Sequence, residues 1–302
     1  MPDFTVNLAI PTFGAPPDGG WRSLLDLART AEAAGIDRLV VTDHVVNGPD
    51  VASYPWGRFP TGPDADWLEP LTVLTALAAV TERIRLSTGI LVVPLRPAAV
   101  LAKTVATLDV LSGGRVDLGV GTGWQRAEFD AVGLDFDARG QLLTDTVAAC
   151  RALWQRGPTD FESPTTSLSQ VWCAPVPLQE RLPVWFSGAL HRRNLERIVT
   201  LGDGWIPIMG STPEQVAEGA RRLRRAFQEA GRAEQPGVRL ALAPRRGDDG
   251  RVDLTGCLDG VPALIEAGVT ELHVNLRSLD PQGDDPAGAC AALVEAVRPL
   301  RG

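Results

Sequence analysis

A closed (β/α)8 barrel is the architecture predicted by three features of the chain. Short β-rich runs alternate with longer helical patterns almost from end to end. Eight such units can be read along the chain, and strand–helix alternation builds a parallel sheet that closes into a barrel at eight. The length of 302 residues suits one barrel, and no linker or shift in composition divides it. Residues 1–302 are therefore expected to form a single domain. A doubly wound open sheet would need fewer strands or an unequal split.

The first strand is read at Phe4–Ile10, followed by a helix over Arg22–Ala34 that is rich in Ala and Leu and stops at Gly35. Arg38–Thr42 is the second strand, and a long loop separates it from helix Glu69–Thr81. Ile84–Ile90 pairs with helix Ala98–Leu111, and Val116–Val120 with helix Thr144–Gln155. Gly157–Leu182, rich in Pro, Ser and Thr, has no clear helical pattern and is expected to form an irregular excursion before the fifth strand. Regularity resumes with Val184–Ser187 and helix Arg192–Leu201, then Trp205–Ile208 and helix Pro213–Ala230. Val238–Ala243 precedes a helix over Pro262–Ala267, and Glu271–Leu276 precedes a closing helix over Ala287–Val297.

Composition narrows the function. The chain is 44% hydrophobic and 22% charged with net charge −8, as expected of a globular enzyme. It lacks the basic, aromatic-interleaved surface that nucleic acid requires. The densest basic run, RRLRRAF at 221–227, lies among Glu214, Glu218 and Glu229 and reads as a solvated helix face. Cys150, Cys173, Cys257 and Cys290 form no CxxC pair and stand at no metal-ligand spacing, so they are expected to be reduced thiols of a cytoplasmic protein. No metal site is expected, because histidines are few and no carboxylates cluster at ligand spacing. No apolar run approaches the ~20 residues of a membrane helix, and the start MPDFTVNLAIP lacks a basic leader region.

Active sites of such barrels lie on the loops after the strands. Four suggestive stretches occupy that position: Thr42-Asp43-His44, Ser87-Thr88-Gly89-Ile90, Gly121-Thr122-Gly123-Trp124 and Ser187-Gly188-Ala189. Asp43-His44 ends the second strand; His44 suits proton transfer near neutral pH, while Asp43 either orients the loop or takes part in the site. His191, at a helix start, and His273, inside the eighth strand, are less promising. Residues 47–67 form a long loop carrying Tyr54, Trp56, Phe59 and Trp67, which reads either as a lid over a flat ligand or as a flap packed on the rim. The run GRVDLGVGTGW at 114–124 carries alternating glycines, yet it fits neither a dinucleotide fingerprint nor a P-loop. Ser187-Gly188-Ala189 leads into a helix with Arg192 and Arg193 in its first turn, a suitable place for phosphate.

Three blocks together resemble a known family: AEAAGIDRLVVTDHV at 31–45, the long stretch from Gly57 to Gly133, and PVWFSGALHRRNLERIVTLGDGWIP at 183–207. The chain resembles the luciferase-like superfamily of flavin and deazaflavin oxidoreductases, which are TIM barrels. Its likeness is greatest to the branch that uses coenzyme F420. The resemblance implies hydride transfer between the deazaflavin and a small organic substrate, with His44 supplying or taking the matching proton and Asp43 orienting the loop or touching the cofactor. It places Gly121, Thr122 and Gly123 on the cofactor and its phosphate around Ser187, Gly188 and Ala189, with Arg192 and Arg193 nearby. It implies a non-proline cis peptide at Gly89-Ile90, forming a bulge behind the ring. Substrate would lie on the open face beneath Trp56 and Trp124, with Phe13 and Tyr54 also lining its pocket. A homodimer is expected from the same resemblance.

Two departures qualify it. Sugar-phosphate dehydrogenases of this group carry a glutamate directly after the Gly-Thr-Gly turn, where this chain has Trp124, so that activity is not expected. Glu128 is then either a replacement acid or a solvated helix residue. The phosphate turn reads SGALHRR where many relatives have a second glycine and a serine. Two other readings stand beside the F420 enzyme: an FMN-dependent monooxygenase using oxygen on the same fold, and a non-catalytic flavin-binding protein.

Overall fold

The computed structural model describes residues 4–247 and 252–301. The strands in chain order are β1 (Thr5–Ala9), β2 (Arg38–Val41), β3 (Arg85–Thr88), β4 (Leu91–Val92), β5 (Val116–Gly121), β6 (Thr159–Glu162), β7 (Ser167–Val171), β8 (Val184–Ser187), β9 (Gly204–Ile206), β10 (Gly237–Ala241) and β11 (Glu271–Asn275). The main sheet runs β3-β2-β1-β11-β10-β9-β8-β5, all parallel, and β3 pairs back onto β5 to close the barrel. The expected eight-stranded (β/α)8 barrel is the observed fold.

Two local expectations need correction. The third strand does not continue to Ile90. It stops at Thr88, the Gly89–Ile90 peptide is cis, and the chain resumes as β4, which pairs with β5 alone. The Gly157–Leu182 excursion is also more ordered than expected, because β6 and β7 form an antiparallel hairpin paired only with each other. Its exposed, polar strands bury too little apolar surface to announce themselves by period.

Helix boundaries follow local caps. The helix after the long loop begins at Pro70, with the Glu69 carboxylate accepting from the Thr72 amide at 2.7 Å. Thr212 and Gln215 form a reciprocal capping box at the start of Pro213–Glu229. The helix read from Thr144 starts earlier, at Arg139, and a short helix over Arg126–Ala131 precedes it. Arg221 and Arg225 of the basic run share Glu218 on an exposed face, as a solvated reading requires.

Strand alternation sorts the core. Leu8, Leu39, Val41, Leu86, Leu118 and Phe186 are buried between barrel and helices. The residues between them face the barrel interior, and a whole layer of them is ionic. Arg38 bonds Asp117 at 2.7 Å, Glu271 at 2.5 Å and the Asn7 carbonyl oxygen at 2.5 Å. Arg85 adds a forked contact to Asp117, and Arg239 reaches Glu271 at 3.0 Å. Trp185 lies across this layer, with the Arg38 and Arg239 guanidiniums over its ring at 5.8 and 5.1 Å. A side chain at Gly204 or Gly237 would collide with that ring, so these two inward positions are glycine.

Burial alone would raise the Asp117 carboxyl, but Arg38 and Arg85 hold it below the usual carboxylate range. Glu271 is likewise raised by burial and lowered further by Arg38 and Arg239, with a net downward shift. Both are thus charged in the fold at pH values where the unfolded chain binds a proton. Their stabilisation is complete above an unfolded pKa of ~4 and is lost as pH falls through the lower folded value. Asp117→Asn is expected to cost about 3–5 kcal/mol in urea unfolding at pH 7 by stranding Arg38 and Arg85. It is also expected to flatten the acid limb of stability against pH below about 4. A wild-type-like acid limb in the variant would contradict this account of the barrel floor.

Candidate active site

The glycines at 119, 121 and 123 are explained by the strand beside them. A Cβ on Gly119 would run into the Thr88 carbonyl oxygen. One on Gly121 would lie 2.7 Å from Ile90 Cδ1, and one on Gly123 would lie 2.6 Å from Val92 Cγ1. Every second residue of β5 and its exit turn therefore meets every second residue of the interrupted third strand. Gly123 also has φ +73°, which favours glycine. The sequence leaves open whether these glycines serve a nucleotide. Their visible role is close approach between two backbones, with the turn Gly121-Thr122-Gly123 opening at the barrel mouth.

Asp43 locks the interrupted strand in place. Its carboxylate is buried and accepts from the Val92 amide at 2.8 Å and from Arg96 at 2.7 and 3.0 Å. Arg96 also reaches Glu69, the cap of the following helix, at 3.0 Å. Burial acts to lower the Arg96 guanidinium, yet Asp43 and Glu69 raise it overall. Asp43 thereby joins the loop after β2 to the segment that follows Gly89–Ile90. Arg96 escaped sequence reading because its partner lies 53 residues away.

The neighbouring side chain, His44, points into a ring of aromatics. Trp67, Phe59 and Trp124 meet its imidazole edge-on, with centroids at 4.6, 5.3 and 6.2 Å. Tyr54 packs on Trp124 at 5.1 Å and Phe59 at 5.4 Å, and its hydroxyl is 3.9 Å from the sulfur of Met209 in the loop after β9. Burial raises the Tyr54 phenol. Phe13 stacks on Trp67 at 4.2 Å, and Arg277 covers its other side at 5.3 Å. The long loop thus folds back over the mouth, with Phe59 buried and Trp56 left 38% exposed against Tyr54 alone. Three aromatics, Phe59, Trp67 and Trp124, surround the His44 imidazole.

Glu128 corrects the solvated-helix reading. It is fully buried, accepts from the Val45 amide at 2.9 Å and places its other oxygen 3.2 Å from His44 Nδ1. That second contact is close but out of line for a hydrogen bond. Gln125, from the same exit turn, is also buried and accepts from the Gly48 amide, tying the long loop to β5. No sequence signal marked either burial, since Arg126–Ala131 reads as an ordinary polar helix.

At the far side of the barrel, Gly188 has φ +112° and its amide donates to Ile206. Asn194 bridges the Ser187 and Ala189 carbonyl oxygens at 3.3 and 3.1 Å. His191 caps the helix Arg192–Leu201, accepting from the Asn194 amide at 3.3 Å. Arg192 and Arg193 are exposed, and Arg192 turns along its own helix to Glu196 at 2.8 Å rather than over the turn.

These surroundings suit a flat ring with an anionic tail. Aromatic faces and glycine turns border the mouth, and a helix N-terminus stands across it. Thr42 Oγ1, Asn47 Oδ1, Trp124 Nε1 and Gln125 Nε2 are buried without a protein partner, so the rim offers polar atoms for such a ring. Among the described residues no cluster could hold a metal ion, and no helix is long and apolar enough to cross a membrane.

The model of luciferase-like monooxygenases matches residues 3–249. The chain belongs to this family. An uncharacterized protein of Mycobacterium tuberculosis is 32% identical over 266 residues, spanning 86% of this chain and 88% of its own length. The monooxygenase RslO1 from Streptomyces bottropensis shares the fold with a TM-score of 0.79 at 19% identity, covering 99% of this chain and 100% of its own. An F420-dependent secondary alcohol dehydrogenase, solved with an F420–acetone adduct, gives 0.77 at 18% identity, covering 98% and 99%. As a luciferase-like family member, the protein is of the oxidoreductase and monooxygenase kind, and the likeness to deazaflavin and oxygen-using structures extends to the fold.

The glycine contacts give an ordered expectation. Gly119→Ala presses a methyl on backbone that cannot retreat, whereas Gly121→Ala meets the movable end of Ile90. Gly119→Ala should therefore lose about 3 kcal/mol in urea unfolding and Gly121→Ala about 1 kcal/mol. Equal losses would show that β5 does not sit flush on the interrupted strand.

Proposed function

We propose that this luciferase-like protein is a coenzyme F420-dependent oxidoreductase acting on a small organic substrate. The observation that carries the proposal is His44, held in an aromatic mouth with a buried carboxylate directly behind it. The bound deazaflavin would supply a hydride acceptor or donor, which completes the redox half of the reaction. The chain itself supplies the rest. Gly121, Thr122 and Gly123 would border the ring, with Ile90 packed against Gly121 at their side. The amides at the start of Arg192–Leu201, together with Ser187, Gly188 and Ala189, would hold the phosphate.

Proton transfer falls to His44. Glu128 stands at its Nδ1 side, which leaves Nε2 as the atom presented to substrate. Straightened into a hydrogen bond, that 3.2 Å contact would orient the imidazole, the positioning role familiar from carboxylate–histidine pairs. Asp43 and Arg96 fix the backbone on which His44 stands. Tyr54, Phe59, Trp67 and Trp124 exclude water from the imidazole, and they favour an apolar or planar substrate. Likeness to the alcohol dehydrogenase makes secondary alcohols and their ketones the first compounds to assay.

Calorimetric titration with F420 and with FMN, each oxidised and reduced, tests the cofactor. Tight F420 binding with weak FMN binding is expected. Preference for reduced FMN would move the protein to oxygen chemistry, and binding of neither would favour a non-catalytic role. His44→Gln is expected to lower kcat by about 100-fold or more while F420 binding persists. Glu128→Gln keeps an acceptor for Val45 but removes the charge behind His44. It should lower kcat by about tenfold and leave KM little changed. Unchanged kcat in both variants would remove the proton-transfer role.

A further inference from the structure

The ionic layer inside the barrel is unevenly satisfied. Three guanidiniums, those of Arg38, Arg85 and Arg239, meet two carboxylates, those of Asp117 and Glu271. Arg38 and Arg85 use their donors on these carboxylates and on neighbouring oxygens. Arg239 does not. Only its Nε is bonded, to Glu271, while Nη1 and Nη2 are buried without a partner in a residue 2% exposed. Unpaired guanidinium donors at such depth are costly.

An aromatic ring and a histidine border these donors. Gly237 lies two residues before Arg239, on the same inward face, and the Trp185 ring fills the space where its side chain would stand. The Arg239 guanidinium lies over that ring at 5.1 Å. His273 lies two residues beyond Glu271, also inward, and pairs in register with Ala241. Its Nδ1 is buried without a partner, while the rest of the residue keeps some exposure. Burial first, then Arg239, pushes the imidazole down to about 3, so it is neutral and its proton is free to sit on either nitrogen.

We propose that Arg239 and His273 form a binding site for a small monovalent anion, a halide or a short carboxylate, in the barrel floor beneath the mouth. The excess positive charge of the layer selects an anion. The paired Nη donors suit the fork of a carboxylate and equally accept a single spherical ion. Both Nη atoms are buried, which favours a small ligand over a bulky one. Neutral His273 adds a donor without adding charge. Nothing in this site requires His44 or the bound deazaflavin, so it stands or falls separately from the proposed reaction.

Crystals of the intact protein soaked in bromide provide the first test, with thermal unfolding in chloride, bromide, formate, acetate or gluconate at constant ionic strength as the second. The expected result is one anomalous peak against Arg239 and a saturable rise in Tm of about 2–4 °C with the small anions only. Arg239→Lys keeps a partner for Glu271 but loses the fork, and it should abolish both effects. His273→Asn leaves the ionic layer intact and should weaken anion binding about tenfold. Formate or acetate binding more tightly than halide would assign the site to a carboxylate, and the reverse to a free ion. Water density in place of bromide, or equal Tm changes with gluconate, would overturn the proposal.

Discussion

The flush contact between β5 and the interrupted third strand is the constraint from which the site follows. Three glycines spaced two apart let backbone lie against Thr88, Ile90 and Val92. That contact closes the barrel between its third and fourth units and fixes where the exit turn of β5 opens. Asp43 reaches from β2 to the same segment, so the backbone carrying His44 is tied to it by a buried charge pair. Glu128, on the helix that follows the glycine turn, then arrives behind the imidazole. A shift of β5 by a methyl's width would disturb both sides of the histidine at once.

Polarity inside the barrel divides the molecule by height. The lower layer is ionic and packed around Trp185, in place of the branched apolar layers common in such barrels. The upper layer is small and open, with Gly119, Gly121 and Ser187 on inward positions. Above it the long loop adds the aromatic wall. Stability and chemistry are thereby separated: ion pairs hold the floor, and the mouth keeps few charges of its own. His44 and Glu128 are the acid–base groups that the enclosed part of the mouth brings together.

Much of this was legible from the sequence because it depends on local signals. Strand Val184–Ser187 and helix Arg192–Leu201 have the boundaries read from their pattern, and the helix ending at Ala34 stops at Gly35 in the left-handed conformation. His44, its position at a strand end and the aromatic loop were also visible. The remainder arises between distant segments. Nothing in RAEFDA distinguishes a buried Glu128 from a solvated one, and nothing near Asp43 names Arg96 as its partner. His273 illustrates a signal that was present but unused: it shares the inward face of β11 with Glu271, so a charged neighbour facing the barrel implied that the histidine faced it too. Arg192 shows that proximity to a helix start does not decide where a long side chain turns.

In the proposed reaction the mouth hosts hydride transfer with a proton carried by His44, and oxygen has no part in it. Anaerobic turnover measures this directly. The purified protein, oxidised F420 and a panel of secondary alcohols would be mixed under strict exclusion of oxygen, and the loss of the deazaflavin absorbance followed. Multiple turnovers at a rate unaffected by readmitting oxygen are the result expected. Turnover that appears only with oxygen and reduced FMN would contradict the hydride-transfer account and assign the same residues to a monooxygenase.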